Sequence, residues 1–100
     1  ALAVYEQLQG SGRTADELES VVQAAHEGRI DTLFVAAGVQ QWGYYDAKAR
    51  TVHVHREAEP GDEDMLDFAA VQTFLNRGAV YSLNPKDMPN GKAVAGIFRY

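Results

Sequence analysis

Short apolar runs alternate with helical patterns along this chain of 100 residues. The helical patterns cover about residues 15–27 and 64–76, and the apolar runs lie at 31–37, 79–83 and 94–100. Such alternation is typical of an α/β fold, because each helix buries its apolar face on a sheet. The sequence therefore predicts one sheet that contains all three runs, with both helices packed on it.

The first helical pattern has recognisable ends. Thr14 and Glu17 match a capping box, in which each side chain accepts a hydrogen bond from the other residue's backbone N–H. Gly28 stands where a residue with left-handed backbone ends many helices. Between these ends, the apolar residues lie on one helix face and are Leu18, Val21, Val22 and Ala25. We expect a helix that buries this single face.

The second helical pattern is apolar around most of its circumference. Its apolar members are Met65, Leu66, Phe68, Ala69, Ala70, Val71, Phe74 and Leu75. A helix that is apolar on all sides is usually buried. We therefore expect burial on two sides, and a loss of about 3–5 kcal/mol of stability for Phe74→Ala. The pair Arg77-Gly78 predicts that the helix ends with a glycine at the C′ position.

Residues 39–45 and 51–56 predict the two arms of a β-hairpin, because both are rich in aromatic and β-branched residues. Successive side chains of a strand point to opposite faces, so Trp42 and Tyr44 share one face and Tyr45 lies on the other. Exposed aromatic side chains often dominate protein interfaces. Trp42 and Tyr44 are therefore our candidate partner contacts, and core packing of at least one face is the alternative.

The chain opens with a thin helical stripe, Leu2, Tyr5 and Leu8, before the glycines at positions 10 and 12. About nine residues are too few for a stable isolated helix, and glycine disfavours helix continuation. We expect residues 1–12 to be the tail of a connecting helix from a preceding domain. Residues 13–100 should then form a single α/β domain.

Charge and composition narrow the range of partners. The chain has 9 basic and 14 acidic residues and a formal net charge of −5, which argues against DNA or RNA binding through a basic face. With no cysteine in the sequence, disulfides, thiolate nucleophiles and cysteine-bound zinc are excluded. No apolar run reaches the roughly 20 residues that cross a bilayer, and no signal-peptide pattern opens the chain. We expect a cytoplasmic location and no membrane partner.

No motif in the sequence supports catalysis. The glycines form neither a dinucleotide-binding loop nor a phosphate-binding loop, and no serine lies in a Gly-x-Ser-x-Gly context. We expect no enzyme activity, no catalytic residue and no cofactor in this domain.

His53 and His55 are weak candidates for metal binding, because alternate positions place both imidazoles on one face of a strand. A third ligand could come from Glu57 or from the acidic segment that follows, and a solvated strand face is the alternative. The segment 57–67 contains six acidic residues and no basic one. Their spacing does not match a calcium loop, so we expect a solvated loop and a helix N-terminus stabilised by negative charge.

Four segments taken together resemble a known family. They are EGRIDTLFV (27–35), WGYYD (42–46), DMLDFAAVQTFLNRGAVY (64–81), and MPNG followed by AGIFRY at the end of the chain (88–91 and 95–100). Their order and spacing are similar to the C-terminal domain of bacterial relatives of the archaeo-eukaryotic class-1 peptide release factors. The resemblance covers about residues 13–100.

This resemblance implies a three-layer α-β-α sandwich with a mixed sheet, like that of the ribosomal and kink-turn-binding proteins. It also implies a translation-associated role, in termination, ribosome rescue or ribosome association. In release factors the Gly-Gly-Gln hydrolysis motif lies in another domain, and the motif does not occur in this sequence. The resemblance therefore implies a non-catalytic domain that docks a protein partner, such as a translational GTPase, or the ribosome.

The alternative function is RNA binding of the kink-turn type. The kink-turn relatives bind through a Gly-x-Asn-Glu-type helix start, and neither Thr14-Ala-Asp-Glu17 nor Gly61-Asp-Glu-Asp64 matches it. A small basic surface that includes Arg29 and Arg50 would be needed instead. We therefore expect the isolated domain to bind no RNA tightly.

Overall fold

The computed structural model describes residues 2–99, so residue 1 of the expected first helix and residue 100 of the expected last strand lie outside the described range. Within that range the helices are α1 (Leu2–Leu8), α2 (Leu18–His26) and α3 (Met65–Leu75). The strands are β1 (Thr14–Ala15), β2 (Ile30–Ala36), β3 (Trp42–Asp46), β4 (Thr51–His55), β5 (Glu63–Asp64), β6 (Ala79–Leu83) and β7 (Val94–Phe98). Two 3₁₀ turns, Pro85–Asp87 and Pro89–Gly91, lie between β6 and β7.

The main sheet has the strand order β1-β7-β2-β6. Strand β2 pairs in parallel with β6 and antiparallel with β7, so the sheet is mixed. The three predicted apolar runs therefore lie in one sheet, as expected. Phe34 is buried and Phe98 is half-buried, whereas Ala79, Tyr81 and Ser82 of β6 are exposed.

Helices cover both faces of the main sheet. On one face α2 and α3 pack together, and Leu33 and Val94 join their core. On the other face Tyr5 of α1 is buried and meets Phe34 edge to face, with ring centroids 6.1 Å apart. The architecture is the expected three-layer α-β-α sandwich. Helix α1 belongs to the packed structure, and its continuation from a preceding domain stays a prediction.

A second sheet of order β4-β3-β5 lies beside the helices. It contains the predicted hairpin, in which β3 and β4 pair antiparallel. Tyr45 and Val52 pack against the core of α2 and α3. Gly43 is required here, because a Cβ at this position would come within 1.9 Å of the carbonyl oxygen of His53.

The predicted capping box of α2 is wrong. Thr14 and Ala15 pair with Ile97 and Gly96 as a short strand, and the helix starts later with Glu17 as its N-cap residue, without a capping side chain. The sheet edge offered by β7 satisfies the backbone of residues 14–15, and this long-range pairing overrides the local capping pattern.

The two long helices end differently. Gly28 has a left-handed backbone (φ 74°) after α2, as predicted. After α3 the left-handed residue is Arg77 (φ 67°), not glycine, and the N–H of Gly78 donates to the carbonyl of Thr73. Gly78 is needed for space, since a Cβ there would lie 2.7 Å from the carbonyl oxygen of Ile30.

The predicted two-sided burial of α3 is also wrong. Met65, Leu66, Ala69 and Thr73 face the sheet and α2. The opposite side is open, with 73% of Phe74 and 67% of Leu75 exposed. The hairpin packs beside α3 and covers Phe68, but it does not reach these two residues. The earlier expectation of a large loss for Phe74→Ala therefore no longer holds.

We predict that Phe34→Ala costs about 3–5 kcal/mol of unfolding free energy, because the side chain is fully buried between α1 and the sheet. The matched Phe74→Ala should cost less than about 1 kcal/mol in dilute solution, as expected for an exposed position. Chemical denaturation of both variants checks this. Equal losses for the two would show that α3 is covered within the chain.

Candidate functional site

The hairpin gathers the candidate partner contacts and the candidate metal ligands on one face. In the β3–β4 register Trp42 lies opposite His55, and Tyr44 lies opposite His53. Tyr45 lies on the other face, against Phe68. We call Trp42, Tyr44, His53 and His55 the hairpin face. The alternation of side chains along a strand predicted that Trp42 and Tyr44 share one face, and the structure places His53 and His55 on the same face.

Tyr44 is the centre of the hairpin face. Its ring stacks on His53 with centroids 4.5 Å apart and planes inclined by 16°, and it lies 6.1 Å from the ring of His55. The side chain is held in place by these neighbours and is still 42% exposed. Trp42 is half-buried. A rigid, accessible aromatic ring of this kind can bury much area against a partner at a small entropy cost.

An ion pair fixes one end of the hairpin face. Nδ1 of His55 lies 2.7 Å from Oδ2 of Asp62, whose side chain is only 2% exposed. The same carboxylate oxygen accepts a hydrogen bond from the backbone N–H of Glu59 at 3.0 Å, and the Glu59 carboxylate lies 3.9 Å from the imidazole. This cluster closes the loop after β4 against the strand.

The pair shifts the titration of both groups. The hydrogen bond from His55 to Asp62 raises the pKa of the imidazole above its usual 6.5, and burial opposes the shift only in part. The same bond lowers the pKa of Asp62 below its usual 3.8. His55 is therefore held in its protonated form to a higher pH than a free histidine.

The structure does not complete a metal site around the two histidines. His55 uses Nδ1 for Asp62, and His53 stacks on Tyr44. Within residues 2–99 no group of three or more His, Asp or Glu side chains could hold a metal ion. The two imidazoles therefore contribute ring surface to the hairpin face, and His55 also binds the Asp62 carboxylate.

The acidic segment has a more specific structure than the solvated loop expected from its sequence. Asp64 caps α3, because its Oδ1 accepts the backbone N–H of Leu66 at 3.1 Å and that of Gln41 at 3.0 Å. Together with Glu63 it forms β5, which pairs with Trp42 and Gly43. The helix cap was readable from the sequence. The pairing of β5 with β3 was not predicted, because these strands lie far apart along the chain, and the contact between Asp62 and His55, seven residues apart, was not predicted either.

The two arginines of the RNA alternative meet at one carboxylate. Arg29 Nε lies 2.9 Å from Oε1 of Glu27, and Arg50 Nη2 lies 2.6 Å from Oε2. Desolvation raises the pKa of Glu27, but the bonds from Arg50 and Arg29 outweigh it and the net pKa is lowered. Arg29 also lies over the ring of Phe98, 5.4 Å from its centroid. The Glu27 carboxylate thus neutralises part of the positive charge of Arg29 and Arg50, which would be needed to bind an RNA phosphate.

None of the helices in the described part of the chain has the length and apolar character needed to cross a membrane.

We predict that the His55–Asp62 pair makes folding depend on pH. A raised histidine pKa stabilises the fold below pH 6.5, and this contribution is lost as the pH rises through the folded-state value. A lowered aspartate pKa stabilises the fold above pH 3.8 and is lost as the pH falls through its own folded-state value. The contribution of the pair should therefore be largest between about pH 4 and 6.5.

Unfolding free energies of wild type and His55→Gln, measured from pH 5 to pH 9, check this. The difference between the two should shrink as the pH rises above about 6.5. His53→Gln is the matched control, since His53 has no carboxylate partner among the described residues. A pH-independent difference for His55→Gln would contradict the assigned ion pair.

No protein-family model and no curated protein matches the chain. Among solved structures, the chain is similar to the C-terminal domain of a peptide chain release factor from Methanosarcina mazei, with a TM-score of 0.72 and 13% sequence identity. The match covers 99% of this chain and 78% of that one. The fold implied by the sequence resemblance is thereby confirmed: the chain has the fold of a release factor C-terminal domain.

Proposed function

We propose that this chain is a non-catalytic interaction domain of a release-factor-like, translation-associated protein. The observation that carries the proposal is the fold similarity to a release factor C-terminal domain over nearly the whole chain. The segments 27–35, 64–81 and 95–100, which resemble bacterial relatives of these factors, support it from the sequence. Such a domain works where ribosomes are, in the cytoplasm.

A non-catalytic role agrees with the chemistry of the described polar clusters. The His55–Asp62 pair orients an imidazole, but the neighbouring groups are the Tyr44 ring and the Glu59 carboxylate. A histidine–carboxylate pair becomes a catalytic device when a serine, cysteine or threonine nucleophile lies within reach of the imidazole. Here the pair closes a loop and holds the hairpin face in shape.

We propose that a protein partner docks on the hairpin face, with Tyr44 and Trp42 as its main contacts. Tyr44 is accessible and held rigid by His53, which favours binding because little side-chain entropy is lost. The exposed acidic residues Glu57 and Glu59 lie at the end of this face and favour a partner surface with positive charge. A translational GTPase or a protein of the ribosome would meet this requirement.

We predict that Tyr44→Ala weakens binding to the purified translational GTPase of the same organism at least tenfold, since truncation of an aromatic hot spot costs about 2 kcal/mol or more. Binding is measured by calorimetry or interferometry. Val4→Ala is the control, because Val4 is similarly exposed on α1, away from the hairpin. Equal affinities for both variants would contradict the assigned surface. If no GTPase binds and purified ribosomes do, Tyr44→Ala should weaken the ribosome complex instead.

We predict that the chain binds neither duplex RNA nor kink-turn RNA more tightly than about 10 μM near physiological salt. The net charge of −5 repels a polyanion, and Glu27 competes with phosphate for both Arg29 and Arg50. Titration of labelled RNA at two salt concentrations checks this.

The kink-turn alternative makes the opposite prediction. Submicromolar binding with a steep salt dependence, lost in Arg29→Glu or Arg50→Glu, would show that the cluster around Glu27 is an RNA site. Lys86→Glu is the control for a general charge effect, because Lys86 lies on the 3₁₀ turn Pro85–Asp87 and does not belong to the basic surface of Arg13, Arg29, Lys48 and Arg50 that the alternative requires.

A further inference from the structure

Strand β6 is an open edge of the main sheet without the features that usually protect such an edge. It pairs with β2 on one side only, and within residues 2–99 no strand pairs with its other side. Its sequence, AVYSL, contains no charge and no proline, and its register with β2 contains no bulge. Exposed edges normally carry at least one of these features, because bare strands associate.

The outward backbone groups of β6 can be assigned. The carbonyl of Leu83 accepts from Ala37 on the β2 side, and alternate residues of a strand direct their backbone groups to opposite sides. The N–H and C=O groups of Val80 and Ser82 therefore point away from β2. They require either water or a further strand.

An exposed apolar stripe lies beside this edge on α3. The stripe consists of Ala70, Val71 and Phe74, and the charged Asp67 lies on the same helix face. Phe74 is 73% exposed and Val71 is 45% exposed. Helix α3 packs over β2 and β6 and is joined to β6 by the tight turn at Gly78. The open edge and the open stripe thus lie on the same side of the molecule.

We propose that a second copy of this chain pairs with β6 and covers the α3 stripe. In an antiparallel pair centred on Tyr81, Val80 would lie opposite Ser82 of the second copy, and the reverse, which gives roughly four main-chain hydrogen bonds. The two Tyr81 residues would face each other at the twofold axis, as a non-hydrogen-bonded pair with close side chains. Tyr81 is 45% exposed and already stacks on Phe34.

The same twofold axis brings the two α3 helices to packing distance. Neighbouring strands are about 4.8 Å apart, so a helix above β2 and β6 lies about 5 Å from the axis beside β6. The two α3 helices would then be about 10 Å apart, which is close to the 8–10 Å of packed helices. An unrelated partner strand would complete the edge but would leave Phe74 uncovered, so both features together favour a second copy.

Charge supports the antiparallel arrangement. The strand itself is uncharged, so pairing opposes no like charges despite the net charge of −5. The two α3 helices would run in opposite directions, which places Asp67 near the end of the other helix, where Arg77 lies. Neither Asp67 nor Arg77 has an ion-pair partner among the described residues.

The test is sedimentation equilibrium of the chain over a concentration series. We expect a shift towards twice the 11.0 kDa of one chain, with a Kd in the micromolar range because the shared surface is one short strand and one helix stripe. Tyr81→Lys and Phe74→Glu should each raise the Kd at least about tenfold. Val54→Lys is the control, an apolar residue on strand β4 with the same 45% exposure as Tyr81 and outside the hairpin face, and it should dimerise like wild type.

A single-cysteine variant tests the strand register without placing a charged side chain in the interface. The chain has no cysteine, and a non-hydrogen-bonded pair has Cα atoms about 4.5 Å apart, within the range of a disulfide. Tyr81→Cys should form a covalent dimer under mild oxidation much faster than Tyr44→Cys.

Four results would overturn the proposal. The first is a chain that stays monomeric over the whole concentration series. The second is a dimer that Tyr81→Lys and Phe74→Glu leave unchanged, which would place the interface elsewhere. The third is equal crosslinking of the two cysteine variants. The fourth is a monomeric chain in which only another bound protein covers the β6 edge. This result would assign the edge to that protein.

Discussion

The pairing of β2 on both of its edges is the constraint on which the rest of this structure depends. A strand hydrogen-bonded to β6 and β7 is shielded from water only if both of its faces are covered as well. Leu33 is covered by α2 and α3, and Phe34 is covered by Tyr5 of α1. Helix α1, short as it is, therefore completes the burial of the central strand. The second sheet packs beside α2 and α3. Its hairpin face is not part of the hydrophobic core.

Elements with a strong local pattern could be predicted from the sequence, and those that depend on distant partners could not. The apolar runs that became β2, β6 and β7 lie in one sheet, and the hairpin has the expected faces. Residues 14–15 read as the start of a helix because Thr14 and Glu17 match a capping box. In the structure they pair with β7, some eighty residues further along the chain. Single-sequence patterns contain no information on such a partner, so tertiary pairing decides between two locally acceptable conformations.

Charged residues were the hardest to interpret from the sequence. Composition gives only the net charge, whereas the structure shows which charged side chains pair with each other. The segment 57–67 looked like uniform negative charge, yet Asp62 holds His55 and Asp64 caps α3. Arg29 and Arg50 looked like a possible basic surface, yet both bind Glu27. The net charge of −5 is a sum over the whole molecule. It could not show that the hairpin face carries a histidine hydrogen-bonded to the carboxylate of Asp62 beside exposed acidic residues.

Helix α3 shows how a correct chemical signal can lead to a wrong structural conclusion. Its apolar circumference predicts burial on two sides, because transfer of Phe74, Leu75 and Val71 side chains from water to an apolar environment is favourable. The pattern contains no information on whether the chain itself or another molecule provides the cover. Within the described chain the sheet and α2 cover one side only. The uncovered side adjoins a bare strand edge, so one neighbour could satisfy both the apolar side chains and the backbone groups of β6. Burial predicted from a single sequence therefore does not distinguish cover by the chain itself from cover by a second molecule, and Phe74, Leu75 and Val71 are the residues that the described chain leaves exposed.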